Sequence, residues 1–131
     1  MSQIDRKARI REYKENLPPA GIFRIRNTVT GMSLIRPSLN LPGGLNSQRF
    51  QLETGAHPDR DLQADWDRLG PEAFVFEVLD ELSRKDKDEA DLRHEVHLLH
   101  RMWLEKLPSD SLYAFSRRGA GPAPSADGVT R

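Results

Sequence analysis

Residues 20–52 read AGIFRIRNTVTGMSLIRPSLNLPGGLNSQRFQL, and this stretch decides the fold. Gly21-Ile22-Phe23-Arg24-Ile25-Arg26 alternates apolar and polar side chains, the period of a half-buried strand. Asn27-Thr28-Val29-Thr30-Gly31 reads as a tight turn, with Gly31 free to take a positive φ. Met32-Ser33-Leu34-Ile35 resumes the extended pattern, and Pro37 is expected to end it. Asn40 is the expected N-cap of a helix running to about Glu53.

Working outward, residues 3–17 read as a basic helix carrying Arg6, Lys7, Arg9, Arg11 and Lys14, stopped by Pro18-Pro19. Asp59 is the expected N-cap of a helix over 60–69, with Leu62, Trp66 and Leu69 on one face and Gly70 just beyond its end. Phe74–Leu79 is the expected third strand. Residues 89–107 form the longest expected helix, with Leu92, Val96, Leu99 and Trp103 at spacings of four, three and four. Leu112-Tyr113-Ala114-Phe115 is a short apolar segment suited to docking on the core. The order is α-β-β-α-α-β-α, an α+β domain with a small, mainly antiparallel three-stranded sheet flanked by helices. The expected divisions are a basic N-terminal helix over 1–19, the domain over 20–115 and a disordered tail over 116–131, whose composition is SRRGAGPAPSADGVTR.

The chain has 131 residues, room for one domain with a modest core. It has no cysteine, which excludes a disulfide framework and a thiolate metal site. No apolar run is long enough to span a membrane, and the first residues lack a secretory h-region, so a cytoplasmic location is expected. The net charge of +0 hides an asymmetry. Residues 1–58 carry nine Lys/Arg and four Asp/Glu, whereas residues 59–110 carry eight against fifteen. Only the first part can offer phosphate a basic surface; the second repels it.

The central stretch resembles the core of the GIY-YIG endonuclease family. Gly21-Ile22-Phe23 sits where that family has Gly-Ile-Tyr, and Leu34-Ile35-Arg36 where it has Tyr-Ile-Gly. The resemblance runs over about residues 20–114. It takes in His57, Leu62-Gln63-Ala64-Asp65-Trp66, Leu69-Gly70-Pro71-Glu72-Ala73-Phe74, Trp103-Leu104 and Leu112-Tyr113. A closer likeness is to a small group of bacterial proteins labelled as GIY-YIG family, with an altered hairpin and a Leu-Asn-Ser segment, here Leu45-Asn46-Ser47. The resemblance implies an α+β nuclease-like domain. Active members use two tyrosines, an arginine, often a histidine, and a glutamate that holds Mg²⁺.

Aligned by that resemblance, the two tyrosines become Phe23 and Leu34. The arginine falls on Gly44, the histidine on Gln48 and the glutamate on His100. Phenylalanine and leucine transfer no proton, glycine binds no phosphate, and imidazole is a poor Mg²⁺ ligand. The expectation is a catalytically degenerate domain used for binding, without a cofactor, whose partner is DNA, RNA or another protein. Arg24, Arg26, Arg36 and Arg49 are the candidate binding residues. The first two share a strand face, and Arg36 is expected to join them at the end of the neighbouring strand. The alternative is that these arginines pair with the acidic half, for example with Glu77 or Asp80. Competing functions are a working Mg²⁺-dependent endonuclease with relocated groups such as Arg36 and Glu95, and a self-associating structural protein. His94, His97 and His100, with Glu95, are weak metal candidates; the apolar stripe of their helix is expected to point mostly away from the three histidines.

Overall fold

In the computed structural model, residues 17–119 are described. The helix expected over 3–17, except Leu17, and residues 120–131 of the expected tail lie outside the described residues. The elements are β1 (Ala20–Asn27), β2 (Ser33–Ser38), α1 (Leu41–Glu53), α2 (Arg60–Leu69), β3 (Phe74–Leu82) and α3 (Glu89–Lys106). Beyond α3, a strap over 112–118 includes a 3-10 turn at Ala114–Arg117. The fold is α+β, with an antiparallel sheet in the order β2-β1-β3.

Local chemistry sets most boundaries. Asn40 Oδ1 accepts from the Gly43 N–H at 2.9 Å and opens α1. Asp59 Oδ1 does the same for Leu62 at the start of α2, and Asp88 Oδ1 for Asp91 at the start of α3. In the hairpin turn, Asn27 Oδ1 accepts from the N–H groups of Val29 and Thr30, an Asx-type turn, and Gly31 takes φ 82°. At Gly21 the constraint is close approach. A Cβ there would lie 1.9 Å from the Asp80 carbonyl oxygen on β3. The β1–β3 register shifts between Ile22 and Phe23, one residue further on.

The strand alternation suggested one buried face, but the sheet buries both. Ile25 and Leu34 face α1 and α2, packing with Leu52, Leu62, Trp66, Phe74 and Tyr113. Ile22 and Ile35 face α3, packing with Val96 and Leu112 against Leu99 and Trp103. Ile22 and Phe23, adjacent in sequence, point to opposite faces and are both buried, and the extra residue of the bulge is Leu79 on β3. Covering both faces explains why four of the six residues from Gly21 to Arg26 are buried.

Three boundaries differ from the sequence reading. β2 does not end before Pro37 but runs through it to Ser38. The Ile35 N–H points away from β1, to Ser116 Oγ, so Pro37, two residues on, directs its missing donor to the same outer side. β3 extends to Leu82, because β1 pairs with it as far as Ala20. The domain also continues past 115: Ser116, assigned by composition to the tail, is fully buried and bonded to β2. Phe76, Leu99 and Trp103 are half-buried supports of the core.

Candidate functional site

Midway along β1, Phe23 is 2% exposed. Its register partner on β2 is Arg36. The ring fills the space beside Gly44 in α1: a Cβ at Gly44 would lie 3.1 Å from Phe23 Cε2 and 2.9 Å from Ser38 Oγ. Glycine in a first helical turn costs roughly 1 kcal/mol relative to alanine. Its use here follows from the ring packed against it. Leu34 is fully buried, in the core cluster with Ile25 and Tyr113. Neither position exposes a proton-transferring group.

Gln48 meets His57, a residue whose part the sequence did not reveal. His57 Nδ1 accepts from the Asp59 N–H at 3.0 Å, so Nε2 carries the proton and donates to Gln48 Oε1. The His57 backbone N–H donates to Gln63 Oε1 at 3.0 Å. Burial pushes the His57 pKa below its ordinary value, against the pull of Asp59. This imidazole is a neutral strut between α1 and α2.

His100 departs most from expectation. It is fully buried, on the core side of α3 rather than opposite the apolar stripe. Its Nε2 donates to the Ser116 carbonyl at 2.8 Å and to the Ile35 carbonyl at 3.2 Å. Nδ1 is buried without a hydrogen-bond partner among the described residues. Burial lowers its pKa, and the nearby Arg36 and His97 charges lower it further. A sequence signal existed: Leu92, Val96 and His100 recur every four residues, so His100 continues the buried stripe.

The strap that His100 holds lies along the outer edge of β2. The Tyr113 N–H donates to the Ser33 carbonyl at 2.9 Å, and the Ile35 N–H to Ser116 Oγ at 3.1 Å. Asp59 accepts from the Phe115 N–H with Oδ2 while capping α2 with Oδ1. The Tyr113 hydroxyl donates to Asp65 Oδ2 at 2.7 Å and accepts from Asn27 Nδ2 at 3.0 Å. Its burial raises the Tyr113 pKa above its ordinary value. Strap, hairpin turn and α2 are thereby tied by one polar network.

The four candidate arginines do not share a groove. Arg24 and Arg26 both reach Glu77 on β3, Arg24 Nε at 2.6 Å and Arg26 Nε at 3.4 Å, which is the pairing offered as the alternative. Arg36 does not join them. Its register partner is Phe23, whereas the partner of Arg24 is Ile35, so the two arginines lie on opposite faces. Arg36 Nη1 donates to the Phe115 carbonyl at 3.2 Å and to the Arg118 carbonyl. Its guanidinium stacks 5.1 Å from the Phe115 ring centre. Arg49 lies 4.1 Å from the centre of the Phe76 ring.

The residues present do not fit a Mg²⁺ ion. His94 is exposed on α3, Glu95 pairs with Lys87 at 3.0 Å, and His100 is spent on two carbonyls. Among the described residues, no three His, Cys, Asp or Glu side chains converge, and none of Phe23, Leu34, Gly44, Gln48 and His100 offers the carboxylate oxygen that Mg²⁺ favours.

The sheet order, the helix placement and the strap define a GIY-YIG-like α+β domain. Two solved structures that resemble it are of one nuclease. A mutant catalytic domain of the intron endonuclease I-TevI matches with a TM-score of 0.59 at 18% identity, covering 79% of this chain and 99% of that one. The catalytic domain of the homing endonuclease I-TevI, in a second structure, matches with a TM-score of 0.55 at 20% identity, covering 72% and 95%. No protein-family profile matches the sequence, and no curated protein does. Among the described residues, no helix is long and apolar enough to cross a membrane.

Proposed function

We propose that this domain binds without cutting: a nuclease-like fold whose catalytic positions have become structural. The observation that carries this reading is His100. At the position where the family resemblance calls for a metal-holding carboxylate, an imidazole is fully buried and donates to the Ile35 and Ser116 carbonyls. Phe23 packed on Gly44, buried Leu34 and the His57–Gln48 strut support it at the other positions. The relocated-nuclease alternative lacks support, since Glu95 of α3 pairs with Lys87 just before that helix while Arg36 is bound into the strap.

The test has two parts. Purified protein incubated with plasmid DNA or RNA and Mg²⁺ or Mn²⁺ should leave the substrate intact. Cleavage that tracks the protein through chromatography and stops on chelation would overturn the reading. Titration against single- and double-stranded DNA and RNA at two salt concentrations then asks what is bound. A nucleic-acid ligand should weaken steeply with salt.

A further inference from the structure

Among the described residues, five arginines have a carboxylate within 4.0 Å: Arg24 and Arg26 at Glu77, Arg68 at Asp65, and Arg84 and Arg93 at Glu89. Four arginines without one gather around the strap: Arg36, Arg60, Arg117 and Arg118. Arg36 and Arg118 stack on the same ring, 5.1 and 5.2 Å from the Phe115 centre. Beside that ring opens a cleft of about 450 Å³ between the strap and the start of α2, lined by Asp59, Arg60, Asp61, Phe115, Arg117 and Arg118.

The charges around the cleft are unequally engaged. Both Asp59 oxygens accept backbone N–H bonds, from Leu62 and Phe115. Asp61 accepts none among the described residues and is the carboxylate left facing the rim. The Arg118 charge lies close enough to Arg36 to add to the effect of burial on that guanidinium. An anion at Arg118 offsets the repulsion between these two like charges. A guanidinium presents a planar fork of N–H donors that matches phosphate oxygens.

We infer that this cleft is a phosphate-binding site, and that it receives the backbone of a nucleic-acid strand. The inference rests on the binding-module reading and moves its contact surface. The Arg24–Arg26 pair, held by Glu77, lies on the other face of the sheet from Arg36. A strand is the fitting occupant because its phosphates repeat. One sits at Arg118 beside the ring, and its neighbours fall to Arg117 and Arg60 along the cleft.

The experiment is a titration of labelled single- and double-stranded oligonucleotides, at two salt concentrations, with the wild type and three variants. Arg117→Glu/Arg118→Glu should weaken binding about tenfold or more. It should also lower the slope of log K against log salt by about 2. Both side chains are exposed, so the thermal unfolding midpoint should hold. Asp61→Asn should tighten binding. Arg24→Ala/Arg26→Ala should leave affinity and slope unchanged. Wild-type affinity in the Arg117/Arg118 variant would overturn the site, as would a wild type that binds no oligonucleotide, or one that binds an acidic peptide instead. Cleavage in the nuclease assay would instead overturn the binding-module reading, and the arginine comparison would still locate the contact.

Discussion

His100 and Ser116 lie 16 residues apart in the chain, and the His100 Nε2–H donates to the Ser116 carbonyl at 2.8 Å. The same N–H reaches the Ile35 carbonyl at 3.2 Å. One side chain of α3 thus holds the strap against the outer edge of β2. That edge would otherwise present unpaired backbone groups, and the strap covers it.

His100→Glu should therefore destabilise the domain instead of restoring a metal site. A carboxylate would face two carbonyl oxygens in a fully buried position, and the nearby Arg36 is already bonded to the Phe115 and Arg118 carbonyls. The expected loss is about 3 kcal/mol or more, read as a lower midpoint in urea unfolding. A variant as stable as the wild type that also bound Mg²⁺ would contradict the structural role.

Stability should fall on the acid side of neutrality. The folded-state pKa values of His57 and His100 are lowered, chiefly by burial. The unfolded chain therefore binds more protons as pH drops through the ordinary histidine range near 6.5. Stability is complete above that range and is lost as pH falls toward the folded-state values. Thermal unfolding across this window should show the melting temperature dropping with pH. The drop should be shallower in His100→Gln than in the wild type, and equal slopes would contradict the assignment.

Gly21→Ala should destabilise although it lies in a strand where alanine is tolerated elsewhere. The added Cβ would sit 1.9 Å from the Asp80 carbonyl oxygen, so β1 and β3 would have to separate. Overpacking of this kind costs about 1–3 kcal/mol. Equilibrium unfolding measures it, and a neutral result would mean that the strands part without cost.

Tyr113→Phe isolates the polar network at the hairpin. It removes the partner of Asn27 Nδ2 at 3.0 Å and the donor to Asp65 Oδ2 at 2.7 Å while keeping the ring. Leaving such groups unpaired costs about 1–3 kcal/mol. The double variant Tyr113→Phe/Asp65→Ala should lose less than the sum of the two single changes, because the residues act through one bond.

Much of the fold was legible because its signals are local. Asn40, Asp59 and Gly70 act within a few residues of the helix ends they set, and α1 and α2 run where those residues placed them. The order of elements from β1 onward and the docking of Leu112-Tyr113 followed from apolar spacing together with these caps and turns. The candidate site was legible only as residue types. The family resemblance set Phe23, Leu34, Gly44, Gln48 and His100 at expected catalytic positions, and their residue types did not say what those side chains do in the fold.

Those roles depend on contacts between residues far apart in the chain, which no periodicity records. Strand alternation told that Arg24 and Arg26 share a face. Only the β1–β3 register put Glu77 beside both and drew them into one ion pair cluster. Sequence placed Arg36 at the end of a strand; antiparallel pairing with Phe23 turned it to the face opposite Arg24, toward the strap. Composition assigned Ser116 to a tail, and the strap's bonds to β2 and His100 buried it. Caps, turns and apolar stripes are short-range physics, written where they act. Charge pairing, edge covering and the burial of His100 arise when distant segments meet, and the tertiary structure alone decides them.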